Sequence, residues 1–79
     1  MISIYIYGCE CGINGYLVRR VKAYGLKNGV DVAVFNTKYD TDRRHEHENY
    51  LKNAGFRNDY WPPIVVENGE VQELRKWMS

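Results

Sequence analysis

The sequence predicts a small α/β domain in which four strands and three helices follow the order β-α-β-α-β-β-α. Two observations carry this prediction. Runs of β-branched and aromatic residues, which favour strands, alternate with segments whose apolar residues recur at helical spacing. The third such run is followed by Asn68-Gly69, a dipeptide typical of a tight turn between antiparallel strands. We therefore expect a mixed four-stranded sheet flanked by helices, parallel in its first half and antiparallel in its second.

The first half of the chain is predicted to form a parallel βαβ unit. Residues 2–7 alternate isoleucine with tyrosine or serine, which indicates a strand buried on both faces. A helix is expected to begin within residues 12–15 and to end at Asn28-Gly29. Its apolar side chains recur at helical spacing, at Ile13, Leu17, Val18, Val21 and Tyr24. Residues 30–35 form the second strand, and a helix joining two such strands makes a right-handed unit.

The second half is predicted to add a helix and then a hairpin. A polar stretch becomes a helix over about 42–54, with a sparse apolar face formed by Tyr50, Leu51 and Ala54. The third strand covers residues 61–66 and begins at a proline pair. After the turn we expect a short fourth strand over about 70–72 and a closing helix over about 72–78.

The composition bounds the class of protein. With 79 residues, the chain is expected to form one domain over residues 1–79. Its 11 basic and 10 acidic residues are well mixed and leave a net charge of +1, so we expect no nucleic-acid partner. No apolar run approaches the ~20 residues of a membrane span. Two cysteines are too few for a disulfide-stapled secreted domain, so we expect a cytoplasmic monomer.

The two cysteines, Cys9 and Cys11, lie where the first strand meets the first helix, with Glu10 between them. A thiol at a helix N-terminus faces unpaired backbone N–H groups and the positive end of the helix dipole, and both favour the thiolate. This position favours a redox function. Two alternatives stay open: the cysteines are small buried side chains without chemistry, or they form half of a zinc site shared in a dimer.

The pair His45 and His47 suggests a metal site only at first sight. Residues two apart on a helix point to different sides, whereas a metalloprotease-like helix needs histidines four apart. We therefore interpret this segment as a solvated helix face, and we expect no metal site.

A set of landmarks along the whole chain, in this order, resembles the thioredoxin fold and, within it, the small glutaredoxin-like proteins. The landmarks are Ile4-Tyr5, Cys11, Gly55-Phe56-Arg57, Pro62-Pro63 and Asn68-Gly69. They are also similar to the glutaredoxin-like electron donors of ribonucleotide reductase, in which a similar Gly-Phe-Arg precedes the proline. The resemblance implies a thioredoxin-like fold and a redox-active thiol.

The family's motif is Cys-x-x-Cys, and this chain departs from it. In the family, core-facing helix positions fall about six, ten and thirteen residues after the nucleophile. Counting from Cys11 reaches Leu17, Val21 and Tyr24. Counting from Cys9 instead reaches Gly15, Arg19 and Lys22. The resemblance therefore implies Cys11 as the nucleophile. Residues 11–14 then resemble the Cys-Gly-Phe-Ser of monothiol glutaredoxins, with Asn14 in the position of the usual second cysteine.

Cys9 is a candidate for the thiol that resolves a mixed disulfide at Cys11. We expect a Cys9–Cys11 disulfide to be tight, because extended backbone holds such Cα atoms near or above the usual ~4.4–6.8 Å. A strained disulfide is reduced more readily, so we predict a more oxidising couple than in a Cys-x-x-Cys protein. Glu10 opposes formation of a thiolate, and no basic residue lies shortly before Cys11. We therefore expect the pKa of the Cys11 thiol to be lowered only modestly.

The proline pair is the second part of the expected site. In thioredoxin-like proteins a cis-proline faces the nucleophile, and the residue before it pairs its backbone with the substrate. The resemblance implies a cis bond at Pro62 rather than at Pro63, with Trp61 offering its N–H to the substrate. Tyr7 is expected to pack or to line the groove, and Trp61 is expected either to contact a partner or to fill the core. Arg57, Arg43 and Arg44 are candidates for binding a carboxylate.

The resemblance implies a thiol–disulfide oxidoreductase that reduces protein or glutathione mixed disulfides, such as an electron donor to ribonucleotide reductase. No bound cofactor is expected. Glutathione is a candidate co-substrate, although Glu70-Val71-Gln72-Glu73 replace the family's glutathione-binding residues. The expected partners are a disulfide-containing protein and, as reductant, glutathione or a thioredoxin-reductase-like enzyme. Two alternatives are a catalytically degenerate binding module that uses the Trp61 and proline edge, and a monothiol-type binder of an iron–sulfur cluster and glutathione.

Overall fold

The computed structural model of the protein describes residues 1–56 and 61–78. The strands are β1 (Ile2–Ile6), β2 (Val32–Asn36), β3 (Ile64–Glu67) and β4 (Glu70–Gln72), and the helices are α1 (Gly12–Asn28), α2 (Thr41–Asn53) and α3 (Arg75–Met78). The strands form one mixed sheet in the order β2-β1-β3-β4. β1 pairs with β2 in parallel and with β3 antiparallel, and β3 pairs with β4 antiparallel. The predicted element order and the mixed four-stranded sheet are confirmed.

Several boundaries differ from the prediction for identifiable reasons. β2 begins at Val32 because the amide of Val30 belongs to the end of α1, where it donates to the carbonyl of Gly25 at 2.9 Å. β3 begins at Ile64 rather than at Trp61, since the two intervening prolines have no N–H to donate to a ladder. β1 ends at Ile6, one residue early, and α3 begins at Arg75 rather than at residue 72.

The turn between β3 and β4 has the backbone that its sequence predicts. Asn68 and Gly69 have φ values of 54° and 80°, both in the left-handed region that a type I′ turn requires. Glu67 pairs with Glu70 across the turn. The predicted two-residue hairpin is therefore confirmed.

The sheet is covered on both faces, and β1 contributes to each. On one face, β1 packs against α1 and α3 in a cluster that contains Ile2, Ile4, Ile6, Leu17, Val18, Val21, Val65 and Trp77. On the other face, a smaller cluster lies under α2 and contains Tyr5, Leu51, Ile64 and Val66. The prediction of a first strand buried on both faces is confirmed. Ile13, which we assigned to the apolar face of the helix, is instead 48% exposed.

In the part of the chain that the structure describes, no helix combines the length and the apolar character needed to cross a bilayer.

Gly25 lets the end of α1 approach β2 closely. A Cβ atom on Gly25 would lie 2.5 Å from Cγ2 of Val32 and 2.7 Å from the carbonyl oxygen of Val30. Real Cβ atoms do not come this close to backbone oxygen, so a side chain here would force the helix away from the strand.

We predict that Gly25→Ala destabilises the protein by about 1–3 kcal/mol, the usual cost of overpacking a close contact. In an open helix the same change would stabilise by roughly 1 kcal/mol, so the sign of the effect tests the contact. Urea unfolding provides the measurement. The neighbouring Leu26→Ala is the control, since Leu26 is 88% exposed. A Gly25→Ala variant as stable as the natural protein would contradict this packing.

Candidate functional site

The loop from Gly8 to Cys11 carries the two cysteines from β1 into α1. Cys11 is the N-cap residue of α1, with extended backbone angles (φ −129°, ψ 165°), and its carbonyl accepts from the amide of Gly15 at 3.4 Å. Both cysteines are exposed, and the first turn of α1 contains no acidic residue. A cysteine at the N-cap lies beside the unpaired N–H groups of the helix.

The helix register that placed Cys11 at the start of α1 is confirmed. Leu17 and Val21 are fully buried, and Tyr24 packs against the same core cluster. Arg19 and Lys22, which counting from Cys9 would have placed on the buried face, are exposed.

The structure joins Cys9 and Cys11 in a disulfide with a Cα–Cα distance of 5.3 Å. This distance lies within the usual ~4.4–6.8 Å, so the expectation of a span near or above that range is wrong. The distance between Cα atoms two residues apart is set by the backbone of the middle residue, and Glu10 lies in a bend rather than in extended backbone. On either side of the pair, Gly8 and Gly12 adopt left-handed angles, with φ of 97° and 54°. These two glycines turn the chain on either side of the pair, so the loop does not continue the extended path of β1.

Two asparagines hold the backbone of this loop. The side-chain oxygen of Asn36 accepts from the amides of Gly8 (3.3 Å) and Lys38 (3.2 Å), and its nitrogen donates to the carbonyl of Gly8. The side-chain nitrogen of Asn14 donates to the carbonyl oxygens of Cys9 (3.1 Å) and Tyr7 (3.4 Å). Neither role was predicted from the sequence. The bonds between Asn36 and Gly8 join residues 28 apart in the chain, which no local pattern reveals.

The loop also lies directly on the first turn of α1. A Cβ atom on Gly15 would lie 2.8 Å from the carbonyl oxygen of Glu10 and 3.3 Å from Nη1 of Arg19. The guanidinium of Arg19 therefore reaches back toward the cysteine loop.

Two aromatic side chains assigned to the site from the sequence come together. The ring centroids of Tyr7 and Trp61 are 5.6 Å apart, and the guanidinium carbon of Arg44 lies 6.0 Å from the centre of the Tyr7 ring. Tyr7 is 42% exposed, and Trp61 is half-buried. Arg57, the third predicted binding residue of this region, lies outside the described residues.

The two prolines separate into different environments. Pro62 is buried, whereas Pro63 is half-buried. Both line an apolar groove of about 340 Å³, together with Ala54, Phe56, Ile64, Val71, Gln72, Glu73 and Leu74.

The predicted cis bond at Pro62 is wrong, since the bonds preceding Pro62 and Pro63 are both trans among the described residues. Trans is the lower-energy form of an X–Pro bond. In this form the carbonyl oxygen of Pro62 accepts a hydrogen bond from Nε2 of His47 at 2.8 Å.

The prediction that His47 belongs to a solvated helix face is also wrong. His45 is exposed, but His47 is 0% exposed and contacts Thr37, Pro62 and Trp61. The residues next to His47 in the sequence are polar, so the pattern predicts an exposed side chain. One signal was available, because His47 precedes the apolar Leu51 by four residues and so shares its helix face.

Burial lowers the pKa of the His47 imidazole, although its hydrogen bond to Pro62 opposes part of that effect. The ring is therefore neutral at pH 7. Since a carbonyl oxygen can only accept, the proton is on Nε2.

A second polar cluster holds α2 to the sheet. The hydroxyl of Tyr5 donates to the Glu46 carboxylate at 2.6 Å, and the Arg43 guanidinium pairs with the same carboxylate at 2.9 Å. Burial, followed by the bond to Glu46, raises the pKa of Tyr5. Tyr5 therefore remains protonated and holds α2 over β1.

No family model, curated protein or solved structure matches this chain. Within residues 1–56 and 61–78, no group of three His, Cys, Asp or Glu side chains is arranged to hold a metal ion. A functional argument therefore depends on the geometry of the cysteine loop and its neighbours.

We predict that Asn36→Ala loosens the cysteine loop. The substitution removes the three hydrogen bonds of the Asn36 side chain, and leaving backbone groups without partners typically costs about 1–3 kcal/mol. Hydrogen exchange at the Gly8 amide should become faster, and the free energy of unfolding should fall. Asn53→Ala, on the exposed end of α2, is the control. Unchanged exchange at Gly8 would show that Asn36 does not hold the loop.

We also predict that the free energy of unfolding depends on pH through the titration of His47. Because its folded pKa lies below the ordinary 6.5, the unfolded chain binds a proton first as the pH falls. The free energy of unfolding should therefore decrease as the pH drops through about 6.5, and level off below the folded pKa. Denaturant unfolding between pH of about 7.5 and 5 measures it. His47→Gln should lose this slope and His45→Gln should keep it; the opposite pattern would refute the assignment.

Proposed function

We propose that this protein is a cytoplasmic thiol–disulfide oxidoreductase with a thioredoxin-like fold of the small glutaredoxin type. The observation that carries the proposal is an exposed cysteine pair at the start of α1, with Cys11 at the N-cap. The sheet order β2-β1-β3-β4 and its mixed pairing support the fold assignment. The buried helix positions after Cys11 support its role as the nucleophile.

The first half of the reaction uses Cys11 in its reduced form. The Cys11 thiolate attacks one sulfur of a substrate disulfide, the substrate S–S bond breaks, and the other substrate sulfur leaves as a thiolate that takes a proton from water. The positive end of α1, where Cys11 is the N-cap, favours an anion beside this loop.

The second half uses Cys9. The Cys9 thiolate attacks the sulfur of Cys11, the mixed disulfide breaks, and the second substrate thiol is released, leaving the Cys9–Cys11 disulfide. Two electrons have then passed to the substrate. An external dithiol, or two molecules of a thiol such as glutathione, returns the pair to its reduced state.

The substrate class that we propose is a protein disulfide. Tyr7 and Trp61 form an aromatic pair whose first member is two residues from Cys9. Such a surface suits an extended polypeptide better than a small charged tripeptide. Electron donation to ribonucleotide reductase or to a similar disulfide-cycling enzyme would require this kind of contact, with glutathione or a thioredoxin-reductase-like enzyme as the source of electrons.

A binding module without redox activity is the second candidate. The trans bond at Pro62 departs from the peptide-binding proline of thioredoxin-like proteins, and the apolar groove beside it is open. In this case the proline edge would hold a partner, and the cysteines would be dispensable.

We predict a two-electron transition between Cys9–Cys11 and two free thiols. The measurement is the mass of the folded protein after alkylation, over a series of dithiothreitol redox buffers. A transition between no added alkyl group and two identifies an intramolecular couple. Cysteines that never form this couple, or that stay unreactive toward the alkylating agent at pH 7, would favour the binding module.

The two single serine variants test the direction of the reaction. Cys11→Ser should abolish disulfide reductase activity, because no nucleophile remains at the helix start. Cys9→Ser should retain it through Cys11 and an external thiol. The two substitutions are chemically identical and lie two residues apart, so each controls for the other. Activity that survives in Cys11→Ser and is lost in Cys9→Ser would overturn the assignment.

A further inference from the structure

His47 has no place in the reaction described above, although it is the most fully enclosed titratable side chain on α2. The helix around it is polar, and among the described residues of α2 only His47 and Leu51 are buried. A buried polar ring in so small a core is costly unless its nitrogens have partners. The contacts of His47 therefore indicate the function of this buried ring.

Its contacts lie on two segments that flank the cysteine loop. One ring nitrogen, Nε2, donates to the carbonyl of Pro62 at 2.8 Å, and the ring meets Trp61 edge to face at 5.1 Å. The other nitrogen, Nδ1, lies 3.4 Å from the hydroxyl of Thr37. That hydroxyl donates to the carbonyl of Ile6, the last residue of β1 before the loop.

The segment that carries Trp61 and Pro62 needs such a contact. It precedes β3, whose pairing with β1 begins only at Ile64. Prolines cannot donate to a neighbouring strand, so this segment is held through its carbonyl oxygens and side chains. The bond from His47 to Pro62 fixes the backbone, and the ring contact fixes Trp61 where its indole meets Tyr7 at 5.6 Å.

We propose that His47 is a positioning residue that sets the specificity of the site for polypeptide disulfides. By holding Pro62 and Trp61, it presents the Tyr7–Trp61 pair in a fixed position relative to the cysteine loop. This inference rests on the proposed oxidoreductase function and names the residue that prepares the surface for the substrate. His47 itself is enclosed and does not touch the substrate.

Two consequences distinguish this positioning role from a role in stabilising the fold alone. An extended protein substrate must align with the aromatic pair, so its KM depends on the position of Trp61. A small disulfide reaches Cys11 without that surface, so its rate does not depend on His47. Loss of the His47 contacts should therefore raise KM for a protein substrate and leave kcat nearly unchanged.

The experiment compares His47→Leu, His47→Gln and the exposed control His45→Leu in the full chain. Insulin disulfides are the protein substrate, hydroxyethyl disulfide is the small one, and dithiothreitol supplies the electrons. His47→Leu should raise KM for insulin about tenfold, the effect of losing one hydrogen bond and a ring contact. Its rate with hydroxyethyl disulfide should stay within about twofold. His47→Gln, whose amide can donate to Pro62, should recover most of the loss.

Other outcomes would overturn the proposal. An unchanged KM for insulin in His47→Leu would show that His47 does not set the surface. Equal losses on both substrates would assign the residue to stability alone. If His47→Leu does not fold, Trp61→Ala is the second variant: it keeps the hydrogen bond to Pro62 and should raise KM for insulin in the same way, and an unchanged KM would refute the role of the surface.

A measurement without catalysis keeps this proposal separate from the proposed function. Nuclear Overhauser contacts between the rings of His47 and Trp61, and between Trp61 and Tyr7, report the geometry directly. In His47→Leu, the contact between Trp61 and Tyr7 should weaken. A natural protein without reductase activity would refute the oxidoreductase function even if these contacts behave as expected. Ring contacts between Trp61 and Tyr7 that persist in His47→Leu would refute the positioning role even in an active enzyme.

Discussion

The pairing of β1 on both of its edges is the interaction on which the rest of the structure depends. β1 lies between β2 and β3, and it supplies side chains to the clusters on both faces of the sheet. α1 and α3 are fixed by its isoleucines, and α2 by the hydroxyl of Tyr5. Because the cysteine loop leaves directly from the end of this strand, the strand that is paired on both edges determines where the loop starts.

The loop itself is held by a different kind of interaction. Asn36 and Asn14 each use a side chain to bind backbone atoms of the loop, which has no ladder partner of its own. His47 binds the backbone of Pro62 in the same way. Both cysteines of this loop are exposed, so apolar packing does not cover them. Directed hydrogen bonds hold such a loop and leave its outer surface open.

The sequence predicted the element order, the hairpin turn and the register of Cys11 because these features follow from local patterns. Apolar spacing places Leu17 and Val21 on the buried face of α1, and Asn68-Gly69 provides the positive φ angles of the turn. The boundaries of β2 and β3 were less accurate, since capping bonds and prolines decide them. A helical pattern that counts only apolar residues does not predict the burial of His47, because that ring is buried through its polar contacts.

The trans bond at Pro62 could not be inferred from the sequence. The resemblance to thioredoxin-like proteins predicts a cis bond, and the difference in energy between the two forms is only about 0.5–1 kcal/mol. A preference this small is decided by tertiary contacts. Here Pro62 accepts a hydrogen bond from His47, which lies 15 residues earlier in the chain and is a partner that no local pattern reveals.

The position of Asn14 has a consequence for where the two sulfur atoms of this small domain lie. The resemblance assigns the usual second cysteine to this position, but here the side chain binds the carbonyl oxygens of Tyr7 and Cys9. One residue cannot serve as both a backbone clamp and a resolving thiol. In this chain the first helical turn fastens the loop, and the second sulfur lies on the loop itself, at Cys9. The clamp and the second sulfur therefore occupy separate positions, and the backbone that Asn14 fastens is the backbone that carries Cys9.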